Sequence, residues 1–316
     1  MGSEALVPQR PKKKSEPAKD FSRAEKKELA AQYGWSLATL NSVPELRRLF
    51  KSAVDGNYTP AKFVAELRDT KWFQKNSESQ RKYLVLKTTD PKTFKSTINQ
   101  RMASISNLWK TMGGSPPSRQ TLAKLADQSL RLGLNDDQIN ERVSRSINWN
   151  QQIAKNTIRG TGAAQLSELR KMAGQYGVSL GNQWYGNALE AIAGNDATLE
   201  GYQNSIKEMA KKRYSQFADE LDSGLTMNDV IEPYKQSMAS LLEVNPRTID
   251  MSDAQLKSML SYRVADKKGR GIPAQMSLTD FEDNLRRDSR WQYTQNARDK
   301  GMSVVDNLLT RWGVKA

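Results

Sequence analysis

The sequence predicts an all-α fold, two similar helical halves from an internal duplication, stacked as a helical array. Three observations carry that expectation. Apolar residues recur every three or four positions along most of the chain, while period-two alternation is missing. Helix ends are marked by capping residues, by prolines at first helical positions and by glycines at stops. Finally, the octet Ala30-Ala31-Gln32-Tyr33-Gly34-Trp35-Ser36-Leu37 returns as Ala173-Gly174-Gln175-Tyr176-Gly177-Val178-Ser179-Leu180, identical at six of eight positions and offset by 143 residues.

Other pairs keep nearly the same distance. Ile139, Val143, Arg145 and Trp149 correspond to Phe281, Leu285, Arg287 and Trp291 at an offset of 142, and Met102-Ala103-Ser104 reappears as Met238-Ala239-Ser240 at 136. A tandem duplication with a few loop insertions explains these offsets. The chain then divides into a basic arm (1–20), a basic helical half (21–160) and a charge-neutral helical half (161–316).

Taken in order, the arm carries Pro8, Pro11 and Pro17 with Lys12, Lys13 and Lys14 and no apolar periodicity, the pattern of a flexible segment. Ser22 with Glu25 forms a capping box, and the stripe of Ala24, Leu29 and Tyr33 ends at Gly34. There Tyr-Gly reads as a helix stop, since the residue after a helix favours a left-handed backbone that glycine adopts freely. Leu46, Leu49, Phe50, Ala53 and Val54 mark a second helix, stopped at Asp55-Gly56. Thr59 and Pro60 open a third, with Phe63, Leu67 and Trp72 inward. Asp90-Pro91 opens a long helix through Phe94, Ile98, Met102, Ile105 and Trp109, closed by Gly113-Gly114. Leu122, Leu125, Ala126, Leu130 and Leu132 follow, ended by Gly133, and Asn135 with Gln138 boxes the helix of Ile139, Val143 and Ile147. Arg159-Gly160-Thr161-Gly162 reads as a hinge between the halves; a phosphate loop would need a preceding strand, and none is present.

The second half repeats the pattern. Leu166, Leu169, Met172, Ala173 and Tyr176 lead to Gly177, and Trp184, Ala188, Leu189 and Ile192 to Gly194-Asn195. Thr198 caps the helix of Tyr202, Ile206, Met209, Ala210 and Tyr214. Thr226 starts another that Pro246 ends, and Ser277 with Asp280 starts the unit of Phe281 and Leu285 before Trp291.

Composition excludes whole classes of chemistry. The 316 residues contain no cysteine and no histidine. Disulfides, thiolate nucleophiles, Cys/His zinc sites and histidine bases are therefore impossible. No cofactor or metal ligand set is read, and no catalytic residue. Asp136-Asp137 and Asp219-Glu220 fall where helix starts use acidic residues, and no spacing sets two carboxylates across a cleft. No apolar run reaches the length of a membrane span, the start lacks the apolar core of a signal peptide, and the myristoylation pattern fails at Leu6.

Charge is uneven. The total is +14; residues 1–20 hold five basic and three acidic side chains, residues 21–160 hold 24 and 12, and residues 161–316 hold 20 and 20. An excess confined to one of two similar halves points to that half's neighbours, a polyanion or an acidic protein face. Lys12, Lys13, Lys14, Arg47, Arg48, Lys51, Lys71, Lys75, Arg81 and Lys82 are the candidate contacts. They are scattered rather than gathered on one recognition helix, which suits non-specific phosphate contact. Trp35, Trp72, Tyr83 and Trp109 lie among them but at helical spacing with Leu and Ile, so core packing is the expectation over base stacking. In the second half, Leu285 to Thr294 places Arg286, Arg287 and Arg290 before Trp291, echoing Leu67-Arg68-Asp69-Thr70-Lys71-Trp72-Phe73-Gln74. Arg and Asp there either satisfy each other and the local backbone or form a clamp for a partner.

The segments Trp72-Phe73, Ser79-Gln80-Arg81 and Asp90-Pro91, the run from Arg286 to Ala297 and the closing Leu308-Leu309-Thr310-Arg311-Trp312-Gly313 resemble a helical virion protein of tailed bacteriophages of actinobacteria. The likeness covers most of residues 25–313, with Asp288-Ser289-Arg290-Trp291 standing where that family has Asp-Pro-Arg-Trp. The resemblance implies a non-enzymatic structural component, a minor tail, head–tail or head-internal protein. It would be made in the host cytoplasm, carried in the virion and oligomeric within an assembly. Its partners would be other virion proteins, with packaged DNA met through residues 1–160. The alternative is a non-specific nucleic-acid-binding helical protein; a cell-wall hydrolase working through carboxylates stands third.

Overall fold

The computed structural model describes residues 21–311; the arm with Lys12, Lys13 and Lys14, and residues 312–316 with Trp312 and Gly313, lie outside the described residues. The fold is all-α, with one small antiparallel hairpin as the exception among the described residues. Contacts divide the chain into two compact units: residues up to Asn107 with Pro116–Ile139, and Leu108–Ser115 with residues from Asn140 onward.

The first unit begins with α1 (Arg23–Gln32), α2 (Leu37–Ser42), α3 (Pro44–Asp55), α4 (Pro60–Asp69), α5 (Lys71–Lys75) and α6 (Glu78–Thr89). Their boundaries follow the capping chemistry. Ser22 and Glu25 make the expected box, Thr59 accepts the Lys62 amide with Pro60 at the first position, and Ser77 with Gln80 makes a second box. The core holds Tyr33, Leu40, Leu46, Phe50, Phe63 and Leu67, all buried. The Tyr33 ring stacks on Phe63 at 4.4 Å, and Phe50 meets it edge-on at 6.4 Å. Its hydroxyl donates to the Tyr58 carbonyl at 3.0 Å, and burial raises its pKa. Three further helices follow: α7 (Pro91–Met112), which belongs to the second unit from Leu108, α8 (Arg119–Leu132), and α9 (Asp136–Ser146), which belongs to the second unit from Asn140. Tyr83 on α6 donates a hydrogen bond to Asp127 on α8, its hydroxyl pushed up to about 12 first by burial and then by that carboxylate.

The second unit continues with α10 (Trp149–Ala154), α11 (Gly160–Gln175), α12 (Asn182–Ala193), α13 (Leu199–Arg213), α14 (Ala218–Asp222), α15 (Met227–Leu242), α16 (Ala254–Leu260), α17 (Leu278–Leu285) and α18 (Gln295–Arg311). Strands β1 (Arg263–Ala265) and β2 (Gly271–Pro273) pair with Val264 opposite Ile272. The hairpin turn is closed by the Asp266 carboxylate, which accepts the amides of Lys268 and Arg270, with Gly269 at φ 75°. Within the unit, Tyr234 on α15 packs edge-on against Phe281 on α17 at 5.1 Å and donates to the Met276 carbonyl.

Both copies of the octet stop a helix as expected, with Gly34 at φ 74° and Gly177 at φ 64°. Their surroundings differ. A side chain at Gly34 would meet nothing within 4 Å, whereas at Gly177 it would strike the Met251 sulfur at 2.7 Å and the Tyr214 hydroxyl at 2.9 Å. Ser36 then caps α2 directly, but after the second copy α12 starts only at Asn182, with Gly181 at its cap.

The hinge expected at Arg159–Gly162 is replaced by a tight backbone crossing inside the second unit. The Arg159 amide donates to the Gly113 carbonyl at 3.1 Å, and the Thr161 hydroxyl to that of Thr111 at 2.6 Å. A Cβ on Gly113 would lie 2.3 Å from the Arg159 carbonyl oxygen, one on Gly160 2.7 Å from that of Thr111, and one on Gly162 2.3 Å from that of Met112. These glycines serve close approach, not motion.

Candidate partner-contact surfaces

Seven of the basic candidates lie on three first-unit elements, α3, α5 and α6, that are tied to one another. Glu45, at the start of α3, accepts the Lys71 and Trp72 amides at the start of α5 at 2.9 and 2.8 Å. Thr70 caps the same end by accepting the Phe73 amide at 3.1 Å. Arg47, Arg48 and Lys51 sit exposed on α3, and Lys71 and Lys75 sit exposed one turn apart on α5. Arg47 donates to the Asn41 carbonyl. Among the described residues, none of these five cations has a carboxylate within ion-pair distance, so their charge stays available to a polyanion.

The last two differ. Arg81 is half-buried, donates to the Phe73 and Asn76 carbonyls at 3.0 and 2.6 Å and stacks its guanidinium 3.9 Å from the Phe73 ring centroid. Its work is to join α5 to α6. Lys82 pairs with Glu78 one turn earlier on α6 at 2.6 Å, both highly exposed, a contact of little stabilising value. Of the aromatics, Trp109 is buried, Trp35 and Trp72 meet edge-on at 6.2 Å against the core, and Tyr83 is held by Asp127.

Around Trp291 the structure builds a brace. Arg290 donates from Nε and Nη2 to the two Asp288 oxygens at 2.9 and 2.8 Å, and from Nη1 to Asp253 at 2.9 Å. Asp253 is also the N-cap of α16, so the brace fixes the turn after α17 to the start of α16. Gln255 completes it with a 2.8 Å bond to Asp288. The Asp288 carboxyl is held well below the usual carboxylate range, first by its hydrogen bonds from Arg290. Arg290 is therefore spent internally, as is much of Arg286, which pairs with Asp283 at 2.6 Å and Glu282 at 3.6 Å. Arg287 is exposed and Trp291 half-buried. Tyr293, 77% exposed, is the large side chain this turn presents outward, and no periodicity had marked it.

We expect Arg290→Ala to destabilise the second unit by about 2 kcal/mol. The value is below that of a fully buried pair because the guanidinium side chain is 38% exposed. The folded Asp288 pKa is depressed, so its contribution is present above the unfolded value near ~3.9 and is lost as pH falls through the folded one. Urea unfolding at neutral pH and in steps below about pH 4 should show the wild-type and the variant converging with acid. A constant gap would assign the loss to packing instead.

The echo of this segment in the first unit is sequence-deep only. Arg68 and Asp69 are exposed, and it is Glu45 that secures Trp72. A closer structural parallel lies elsewhere. At the start of α18, Glu243 accepts the Gln295 and Asn296 amides at 3.0 and 2.9 Å and Thr294 accepts that of Ala297 at 3.1 Å, the arrangement that Glu45 and Thr70 make on α5. Glu243 itself adopts φ 53° at the end of α15, a conformation uncommon outside glycine.

Charge divides less sharply by unit than by half. The described residues of the first unit hold 19 basic and 11 acidic side chains, net +8, and those of the second 24 and 21, net +3. Lys110, Arg142, Arg145, Lys155 and Arg159 belong to the second unit and move the balance. That unit also contains a cleft of about 970 Å³ beside the second octet, where Arg213, Lys235, Lys257 and Arg263 face Glu232 and Asp250. These cations come from four separate elements, so no local run in the sequence marks them. Asp136-Asp137 and Asp219-Glu220 occupy the first turns of α9 and α14. Among the described residues no helix is long and apolar enough to cross a membrane. No protein-family model, curated protein or solved structure matches the chain.

Proposed function

We propose that this protein is a non-enzymatic structural component of a tailed-phage virion, in the minor tail, at the head–tail junction or inside the head. It works there through contacts with other virion proteins. The observation that carries this reading is the construction of the Arg286–Ala297 segment, where the family resemblance is strongest. An ion-paired brace spends Arg290 on stiffening the turn and leaves Tyr293 and Arg287 facing outward. That is how a rigid contact point is built. Quantitative mass spectrometry of purified virions tests the reading: a fixed copy number per particle is expected, and recovery only from the soluble lysate would sink it.

A second reading, non-specific binding of nucleic acid, is favoured by the unpaired Arg48, Lys51 and Lys71 on α3 and α5. Each phosphate contact adds to the salt dependence of affinity. Replacing these three by Glu in the full chain should flatten that dependence if DNA is the partner and leave it unchanged if it is not.

A further inference from the structure

We propose that α18 is an oligomerisation helix that packs in parallel against α18 of other copies of this chain. The helix runs Gln295–Arg311 and buries none of its residues. Met302 is 61% exposed, Val304 52%, Val305 54% and Leu308 42%. Most helical stability in proteins comes from packing of an amphipathic face rather than from propensity. This one contains Gly301, Ser303, Val304, Val305 and Thr310, all weak helix formers. Its root is capped, but among the described residues nothing buries its body, which leaves the apolar face for a partner.

The charges on either side of that face identify the partner. At 3.6 residues per turn, Met302, Val304, Val305, Leu308 and Leu309 span roughly 160° of the circumference. Arg298 interrupts the stripe near the root of the helix, one turn before Met302; beyond it Asp299 and Asp306 follow one margin, Lys300 and Arg311 the other. Asp299 accepts a hydrogen bond from Gln295 at 2.8 Å; Lys300, Asp306 and Arg311 have no ion-pair partner among the described residues. When two such helices pack stripe to stripe in parallel, the acidic margin of each lies along the basic margin of the other. Antiparallel packing would set acid against acid. The stripe is also wider than the seam of a two-stranded coil, which suits a bundle of several copies in which each helix contacts two neighbours. The inference rests on this helix and not on where the protein works, so absence from virions would leave it standing.

The test is sedimentation velocity on the full chain over a wide concentration range. Concentration-dependent assembly is expected, lost in Val305→Asp with the helical circular dichroism of the two units retained. Asp306→Lys and Lys300→Glu should each weaken assembly several-fold, and the double exchange should restore it. An antiparallel arrangement would instead be strengthened by Asp306→Lys. Since the chain has no cysteine, added thiols report orientation without background. Gly301→Cys, at a position open for a side chain, and Leu308→Cys lie two turns apart on the stripe. Parallel packing lets each form a disulfide with its own copy on oxidation. A monomer at every concentration, or self-crosslinking at only one of the two positions, would overturn the proposal.

Discussion

Gly162→Ala should cost the second unit at least about 3 kcal/mol, although the change adds only one methyl group. The added Cβ would sit 2.3 Å from the Met112 carbonyl oxygen and 3.2 Å from the Trp149 ring. The first obstruction is backbone, so no rotamer change relieves it. Gly113 and Gly160 guard the same crossing, at φ 111° and 59°, and hydrogen bonds from Arg159 and Thr161 hold the two segments together. The first turn of α11 can move away from the end of α7 only by breaking those bonds. Gly174→Ala, in the last turn of the same helix with nothing within 4 Å of the new Cβ, is the control and should stabilise by about 0.5 kcal/mol or less. Denaturant midpoints for both variants decide the matter. Equal, small shifts would mean the crossing is looser than it looks.

The second large effect is expected in the first unit. Phe63 has no exposed surface, lies flat on Tyr33 and sits in the cluster joining α1, α3 and α4. Phe63→Ala removes a whole ring and leaves a cavity that Tyr33 cannot fill, because its hydroxyl is tied to the Tyr58 carbonyl. A loss of about 3–5 kcal/mol follows for a buried aromatic cut to alanine. Phe63→Leu keeps most of the volume and should cost less than half as much. If both cost the same, the stacking geometry and not the volume is what matters there.

Much of this fold was legible because helix ends are written locally. The boxes at Ser22 and Asn135, the Thr59-Pro60 start and the glycine stops at Gly34, Gly133 and Gly177 all fall where the residues place them. Several short elements and α18 escaped, and two of the misses have opposite reasons. In α6 the apolar residues Tyr83 to Leu86 are consecutive, so no stripe shows, and the helix has no fully buried residue, being held by Tyr83 to Asp127 and Thr88 to Thr39. The hairpin is short, and its strands expose both faces, leaving no alternation to detect. The glycines at 160 and 162 were misread as a hinge because sequence does not separate a glycine needed for motion from one needed for close approach. Sequence also left two readings open at Arg290, where the distant Asp253 tips the balance toward an internal brace.

The carboxylate clamp on α18 has a consequence for assembly. Glu243 and Thr294 together take up the first three free amides of the helix, and Asn296 adds a 2.9 Å bond from its side chain to the Ser240 carbonyl. A bare helix on a loose tether would lose its tumbling freedom each time it associated, and that loss opposes binding. With its root fixed at three adjacent points to the end of α15, α18 leaves the unit already aimed. Most of the orientational entropy is surrendered when the chain folds, and little remains to be lost when it meets a neighbour.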